Sequence, residues 1–193
     1  MKKFLSALKQ AGQALKELNL PNKLTLMRIV MVPLYLILLW CFGDDRTLCV
    51  FPLLVFVLAS LTDLLDGYLA RSRNLITNFG KFMDPIADKL LTHTAFIMLT
   101  AMGRLNVIAC IIFIAREFVV SGLRLCAVEQ GHVIAAGMSG KIKTVLQMLL
   151  ALVLTVTGEG ILPAVLTVAA AVMTLYSMCE YVWQNRAVLG GAK

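Results

Sequence analysis

Six long apolar stretches, separated by short polar segments, account for most of this chain. They run from about residue 24 to 42, 48 to 70, 82 to 102, 105 to 128, 141 to 157 and 161 to 183. A helix needs about 20 apolar residues to cross a bilayer, and 60% of the 193 residues are hydrophobic, which is outside the range of a soluble domain. Because a helix satisfies its own backbone hydrogen bonds in lipid, the sequence predicts an all-α polytopic membrane protein with six transmembrane helices over residues 21–185.

Both ends of the chain are polar and basic. Residues 1–20 place apolar side chains at helical spacing between lysines, which is typical of an amphipathic helix on an anionic membrane surface; a flexible tail is the alternative. Residues 186–193 form a short C-terminal tail. Six spans put both termini on one side, and 16 of the 18 Lys and Arg residues fall there, leaving Arg46 and Arg104 on the other. The positive-inside rule therefore predicts that both termini face the cytoplasm.

Four carboxylates lie where the second apolar stretch ends and the third begins. The full pattern is Asp63, Asp66, Gly67, Ala70 and Arg71, then eight residues, then Gly80, Asp84 and Asp88. In each half the acids are three or four residues apart, so they share one face of a helix. Two helices meeting here would bring four mutually repelling carboxylates together, and divalent cations would offset that repulsion. Oxygen ligands without Cys or His favour two Mg²⁺ or Mn²⁺ ions over Zn²⁺; the alternative is a helix pair with capping or solvated acids.

A second group of ionisable residues inside the predicted spans is basic. Its members are Arg28 in the first span, Arg116 and Arg124 in the fourth, and Lys141 and Lys143 at the start of the fifth. Because span directions alternate, these cations and the four acids fall in the same, cytoplasmic half of the membrane, where ionisable residues usually line a cavity. The pattern predicts a polar pocket that opens to the cytoplasm. The last four cations form its cationic wall, which would suit a phosphate monoester; charge balance for the acids is the alternative.

Other polar residues are interpreted more simply. Glu117, in the fourth span, is interpreted as a partner for a nearby cation rather than as a catalyst. Five scattered cysteines lack the spacing of a zinc or redox site and are interpreted as small apolar residues, although Cys41 and Cys49 flank one loop and could pair. No basic groove with aromatic platforms is apparent, so nucleic acid is not an expected partner.

The aspartate pattern resembles the signature of the CDP-alcohol phosphatidyltransferases, with every motif position matched and the eight-residue gap kept. The start of the first span, at Asn22, and the segments 77–89, 116–124 and 140–147 are similar to bacterial phosphatidylglycerophosphate synthases within that family. The resemblance implies transfer of a phosphatidyl group from CDP-diacylglycerol to sn-glycerol 3-phosphate, with release of CMP, in the bacterial cytoplasmic membrane. It also implies a homodimer, which is common in the family.

The resemblance assigns roles to individual residues as well. The two metal ions would be held by Asp63, Asp66, Asp84 and Asp88. Asp88 would also be the general base for the acceptor hydroxyl. The CDP site would be lined by Asn22, Thr25, Asp66, Gly67, Ala70, Arg71 and Gly80. The acceptor phosphate would be bound by Arg28, Arg116, Arg124, Lys141 and Lys143.

Two other functions stay open at this point. A different acceptor would make the chain a cardiolipin synthase or a phosphatidylinositol phosphate synthase, although the cationic wall favours a phosphorylated acceptor. A divalent-cation transporter would use the carboxylates as part of an ion path. The outer halves of the predicted spans are almost wholly apolar, which argues against a path that continues across the membrane.

Overall fold

The structure, a computed structural model, describes most of the chain between residues 20 and 189. The backbone is described for residues 20–72, 78–131, 134–135 and 137–189. Side chains are described for these residues except at 20–22, 63–72, 78–85, 88, 187 and 189. Nearly all of the amphipathic helix predicted over residues 1–20, and the end of the tail predicted over 186–193, lie outside the described residues, so both stay predictions.

Six long helices and one single helical turn make up the described chain, and its residues contain no strand. The helices are α1 Leu20–Phe42, α2 Val50–Ser72, α3 Asn78–Ala101, α4 Val107–Glu129, α5 Met138–Thr157, α6 Ile161–Gln184 and the turn α7 Arg186–Leu189. The all-α prediction is confirmed, and each long helix coincides with one predicted apolar stretch. α1, α3 and α5 begin three or four residues earlier than predicted, because polar residues in their first turns continue the helix beyond the apolar stretch.

Three helices of the described chain are long and apolar enough to cross a membrane. They are Lys23–Phe42 within α1, Met138–Thr157 in α5 and Ile161–Gln184 in α6. Among the described side chains of α2, the apolar segment is shorter, at Val50–Thr62, and α3 and α4 carry ionisable residues such as Lys89 and Arg116 near their middles. The chain is therefore a membrane protein, whereas the count of six spans stays a prediction.

α3 lies at the centre of the helix packing, since it contacts α1, α2, α4 and α5. α1 packs on α2 and α3, α6 packs on α4 and α5, and α5 also contacts α2 and α3. Aromatic pairs fill the core: the ring centroids of Tyr35 and Phe56 are 5.4 Å apart, and those of Phe96 and Phe113 are 5.0 Å apart. Many large apolar side chains, such as that of Ile161, instead face outward. This distribution is expected of a surface that contacts lipid.

Arg104 joins three connections between helices at one end of the bundle. We call the end where α2 ends and α3 begins the motif end, and the opposite end the far end. At the far end, Nη1 of Arg104 donates to the carbonyls of Leu154 and Thr155 in the last turn of α5, both at 3.1 Å. Nη2 donates to the carbonyl of Gly43 at 2.6 Å and to Oδ1 of Asp44 at 2.7 Å. Because helix C-terminal ends carry partial negative charge, this cation stabilises the ends of α1 and α5 together.

The connection between α1 and α2 is closed by short-range contacts. Gly43 packs so closely after α1 that a Cβ at this position would lie 2.4 Å from the carbonyl oxygen of Leu39. The side chain of Asp45 accepts hydrogen bonds from the amides of Leu48 and Thr47, at 2.9 and 2.8 Å, and these bonds lower the pKa of its carboxyl group. This far-end connection is therefore fixed by its own backbone as well as by Arg104.

All five cysteines are free thiols. Cys41 and Cys49 do not form the disulfide that their positions beside one loop allowed. The interpretation as small apolar residues fits Cys49 and Cys110, which are buried, whereas Cys41, Cys126 and Cys179 are exposed on the outer surface of the bundle.

Candidate active site

The predicted metal-binding carboxylates lie on the two helices that meet at the motif end. Asp63 and Asp66 belong to the C-terminal half of α2, and Asp84 and Asp88 to the N-terminal half of α3. These two helices contact each other. The side chains of all four aspartates lie outside the described ones. The same holds for the predicted CDP-binding positions Asn22, Gly67, Ala70, Arg71 and Gly80. The predicted roles of these residues therefore stay predictions.

The chemistry of this donor set fits hard divalent cations. Four carboxylates on two contacting helices offer oxygen ligands alone, and oxygen is the donor that Mg²⁺ and Mn²⁺ prefer. Where the structure does describe side chains, it shows no group of three or more His, Cys, Asp or Glu residues that could hold a metal ion. The four aspartates remain the predicted ligands.

α1 carries two predicted ligand-binding residues into the interior of the bundle. Thr25 and Arg28 are both fully buried, and their three-residue spacing puts them on one face of the helix. α1 packs on α2 and α3, the helices that carry the aspartates. Because a guanidinium inside a membrane helix is costly unless it lies in polar surroundings, Arg28 marks this face of α1 as part of a polar interior.

A single carboxylate gathers three cations near the middle of the bundle. The ammonium of Lys143, on α5, and Nη1 of Arg116, on α4, both donate to Oε1 of Glu117, the latter at 2.8 Å. The ammonium of Lys89, on α3, lies 3.4 Å from Oε2 of the same carboxylate. We call these four residues the Glu117 cluster. With three cations and one anion, the cluster has a formal net charge of +2.

Hydroxyl groups on neighbouring helices extend the Glu117 cluster. Nη2 of Arg116 donates to Oγ of Ser177 on α6 at 2.8 Å, and Nζ of Lys89 donates to Oγ of Ser121 on α4 at 2.6 Å. The first turn of α5 comes close to the same guanidinium, since a Cβ on Gly140 would lie 3.3 Å from Nη2. Nε of Arg116 is buried and has no hydrogen-bond partner among the described atoms. This guanidinium therefore retains a donor for a further acceptor.

A small polar cavity of about 40 Å³ lies against the Glu117 cluster. Thr92, His93 and Gln147 line it together with members of the cluster. Gln147 carries the polar contacts on to α6, because its Nε2 donates to Oγ1 of Thr174 at 3.1 Å. A polar cavity of this size can hold an ordered water molecule. The polar interior thus extends past the ion pairs toward the middle of α5 and α6.

The predicted cationic wall is divided in the structure. Arg124 lies eight residues beyond Arg116, which is about 12 Å along α4. There its Nε donates to the hydroxyl of Tyr181 at 3.0 Å, and its guanidinium lies 5.5 Å from the centre of that ring. Lys141 is exposed near the start of α5. The structure brings Arg116 and Lys143 together through Glu117 but not Arg124 or Lys141, and phosphate binding by any of these residues stays a prediction.

Sequence reasoning missed several partners of the predicted cations. Glu117 was interpreted as the partner of a nearby cation, which is confirmed, but it contacts three. Lys89 directly follows Asp88 of the aspartate pattern, and this adjacency was the available signal for its involvement. Ser177 and Tyr181 are four residues apart and share a face of α6. Nothing in the sequence indicates that this face packs against α4.

A larger cavity, of about 510 Å³, lies at the far end near the starts of α4 and α6. Its walls are mostly apolar, with Ala109, Ile112 and Val168 among them and Arg104 and Glu159 as charged members. None of the predicted site residues that the structure describes lines this cavity. Because chemistry rather than volume identifies a reaction site, the polar interior toward the motif end is the better candidate.

Comparison with known proteins shows which family this chain belongs to. The sequence profile of the CDP-alcohol phosphatidyltransferase family matches residues 18–180. A relative from Bacillus subtilis, named CDP-diacylglycerol–glycerol-3-phosphate 3-phosphatidyltransferase, is 45% identical over 141 residues, which cover 68% of this chain and 73% of the relative. A protein of the same name from Rickettsia typhi is 43% identical over 146 residues, or 75% of this chain and 81% of the relative.

A third relative extends the comparison over nearly the full length. The protein of that name from Sodalis glossinidius is 37% identical over 180 residues, which cover 88% of this chain and 96% of the relative. The matched region includes the aspartate pattern and the Glu117 cluster within residues 18–180. The resemblance seen in the aspartate pattern is confirmed, and the chain belongs to the CDP-alcohol phosphatidyltransferase family.

Proposed function

We propose that this protein transfers the phosphatidyl group of CDP-diacylglycerol to sn-glycerol 3-phosphate, giving phosphatidylglycerophosphate and CMP. Relatives that bear the name of this reaction are similar over most of the chain. The observation that carries the choice of acceptor is the Glu117 cluster, whose formal net charge is +2. A phosphate monoester carries roughly −1.5 to −2 charges near pH 7, whereas a phosphodiester acceptor such as phosphatidylglycerol carries one. The monoester is the better match, and between the two monoester acceptors the names of the relatives favour glycerol 3-phosphate over inositol phosphate.

The aspartates at the motif end would hold two divalent ions, Mg²⁺ or Mn²⁺. The proposed ligands are Asp63, Asp66, Asp84 and Asp88. When bound, such ions act as Lewis acids that polarise the pyrophosphate and stabilise the departing CMP. The CDP site would be lined by residues of α1, α2 and α3, where small side chains let the nucleotide approach the helix backbone. These residues are Asn22, Thr25, Asp66, Gly67, Ala70, Arg71 and Gly80.

Transfer requires one bond to form and one to break. The acceptor hydroxyl oxygen would attack the phosphorus next to the diacylglycerol, and the bond from that phosphorus to the bridging oxygen would break and release CMP. Asp88 would take the proton of the hydroxyl. Arg116 and Lys143 would bind the acceptor phosphate, joined by Arg28, Arg124 and Lys141. Holding the acceptor in line with the bond that breaks would provide much of the rate enhancement.

The proposed reaction also sets the place of the protein in the cell. The donor lipid keeps its acyl chains in the bilayer, while glycerol 3-phosphate is water-soluble, so the site must be reached from both phases. We therefore propose six spans in the bacterial cytoplasmic membrane, an interfacial helix over residues 1–20, and a pocket that opens to the cytoplasm. The charge distribution of the sequence supports this orientation, and we propose a homodimer.

The test is CMP release by the purified protein in detergent. Release should require CDP-diacylglycerol, glycerol 3-phosphate and a divalent cation together, and mass spectrometry should identify phosphatidylglycerophosphate as the lipid product. Chelation by EDTA should stop the reaction, and added Mg²⁺ or Mn²⁺ should restore it. Equal or faster CMP release with phosphatidylglycerol or inositol phosphate as acceptor would overturn the assignment.

A further inference from the structure

We propose that Glu117 is a positioning residue that builds the acceptor-phosphate site by holding Lys143 and Arg116 side by side. The inference rests on the proposed function, since it concerns how the same site recognises its acceptor. Glu117 belongs to neither the aspartate pattern nor the predicted cationic wall. In the structure, however, its carboxylate contacts three cations, two of which lie on other helices.

The geometry shows why two cations need this carboxylate. Lys143 and Arg116 donate to the same oxygen, Oε1, so two positive groups lie within one hydrogen-bond length of a single atom. The side chains of Glu117, Arg116 and Lys143 are only 12%, 9% and 4% exposed. Water therefore screens the repulsion between the two cations only weakly. Glu117 is the group that keeps them adjacent and aligned.

The second carboxylate oxygen ties this pair to the helix that carries the proposed base. Oε2 of Glu117 lies 3.4 Å from Nζ of Lys89, which directly follows Asp88 on α3. Glu117 thus connects α3, α4 and α5 at one point. An acceptor whose phosphate is held by Lys143 and Arg116 would consequently have its hydroxyl at a defined distance from α3. A misplacement of about 1 Å at such a site can cost about 100-fold in rate.

Net charge and geometry make opposite predictions for the loss of this carboxylate. Replacing Glu117 with Gln raises the formal charge of the cluster from +2 to +3. If charge alone governed acceptor binding, the variant would bind glycerol 3-phosphate more tightly. If Glu117 positions the cations, the variant binds the acceptor more weakly, because Lys143 and Arg116 are no longer held together to receive the phosphate.

The first experiment measures both substrates with the full-length protein. Glu117→Gln is expected to raise the KM for glycerol 3-phosphate about tenfold, while the KM for CDP-diacylglycerol changes less than about twofold. Glu117→Asp keeps the charge but shortens the side chain by one methylene, so it should recover the loss only in part. Glu129→Gln is the matched control, since Glu129 is an exposed residue near the end of the same helix. This control should behave as the wild type.

A double-variant cycle separates positioning from a general loss of structure. Lys143→Met alone should also raise the KM for glycerol 3-phosphate. In the double variant Glu117→Gln/Lys143→Met the combined effect should be smaller than the product of the two single effects, because Glu117 acts in part through Lys143. The double variant leaves no unpaired Lys143 in the interior and should therefore melt closer to the wild type than Glu117→Gln does.

Equilibrium binding of radiolabelled glycerol 3-phosphate, without lipid donor, distinguishes failure of this inference from failure of the proposed function. Wild-type binding that Glu117→Gln weakens about tenfold supports the inference even if another acceptor proves to be the better substrate. Tighter binding in Glu117→Gln would overturn it. So would equal losses in both KM values, or effects of Glu117→Gln and Lys143→Met that multiply in the double variant.

Discussion

The far end of this bundle and the Glu117 cluster both contain buried charge, but the partners of that charge differ. At the far end, Arg104 donates to three backbone carbonyls and to Asp44, so its positive charge is balanced by acceptors within the protein. In the Glu117 cluster, three cations share one carboxylate, so the described side chains there leave a formal surplus of positive charge. We infer that the partners of a buried charge, rather than its presence alone, distinguish the structural role of Arg104 from the ligand-binding role proposed for the Glu117 cluster.

We expect the largest effect on activity at the aspartates of α2 and α3, which lie beside the Glu117 cluster in the proposed site and not at the far end. Asp88→Asn should reduce CMP release by about 1,000-fold or more, because the acceptor hydroxyl loses its proposed base. Binding of CDP-diacylglycerol, measured by equilibrium binding in the same detergent, should persist. Loss of donor binding would instead identify Asp88 as mainly a metal ligand.

The next largest effect should be at the far end and should concern stability alone. Arg104→Met leaves the carbonyls of Gly43, Leu154 and Thr155 without their donor, which we expect to cost about 3 kcal/mol of unfolding free energy. The measurement is the melting temperature in detergent, with Arg46→Met, an exposed far-end arginine, as the control. The KM values of the folded fraction should stay unchanged. A selective rise in the KM for glycerol 3-phosphate would contradict the division between the two regions.

A smaller effect is expected at Arg124, which lies beside Tyr181. Arg124→Ala should raise the KM for glycerol 3-phosphate about fivefold, well above any change in the KM for the lipid donor. Tyr181→Phe keeps the ring that Arg124 packs on and removes its hydrogen bond, so its effect should be weaker than that of Arg124→Ala. Equal changes in the two KM values would show that Arg124 does not bind the acceptor phosphate.

The smallest effect should come from the ion pair of Arg104 with Asp44. The side chain of Asp44 is 89% exposed, and exposed ion pairs contribute about 1 kcal/mol or less. Asp44→Asn should therefore lower the melting temperature only slightly, far less than Arg104→Met. A loss as large as that of Arg104→Met would mean that Asp44, rather than the carbonyls, holds the far end together.

Much of the fold could be predicted because apolar length is a local property of a sequence. The six long helices follow the apolar stretches, and the errors at the starts of α1, α3 and α5 arise where polar first turns extend the helix. The aspartate pattern also indicated the family, because it resembles the signature of the CDP-alcohol phosphatidyltransferases at every motif position. Both signals can be read without knowing how the helices pack.

The contacts of the Glu117 cluster could not be predicted in the same way. Its members come from α3, α4 and α5, so their meeting depends on the rotation of each helix about its axis. Arg116 and Arg124 are eight residues apart and near one face of α4, which suggested one shared wall. In the structure, Arg116 turns toward Glu117 and Ser177, whereas Arg124 contacts Tyr181. Long side chains on one helix face can therefore form hydrogen bonds with different partners.

The most direct measurement of the central claim asks whether the surplus charge of the Glu117 cluster binds the acceptor phosphate. With wild-type protein, Mg²⁺ and CDP-diacylglycerol, CMP release is compared for glycerol 3-phosphate and for glycerol at equal concentrations, with and without inorganic phosphate. Two charge-assisted hydrogen bonds to phosphate should make glycerol about 100-fold poorer as acceptor. Inorganic phosphate should raise the KM for glycerol 3-phosphate and leave that for the lipid unchanged. Glycerol reacting as well as glycerol 3-phosphate, or phosphate competing only with the lipid, would contradict the account.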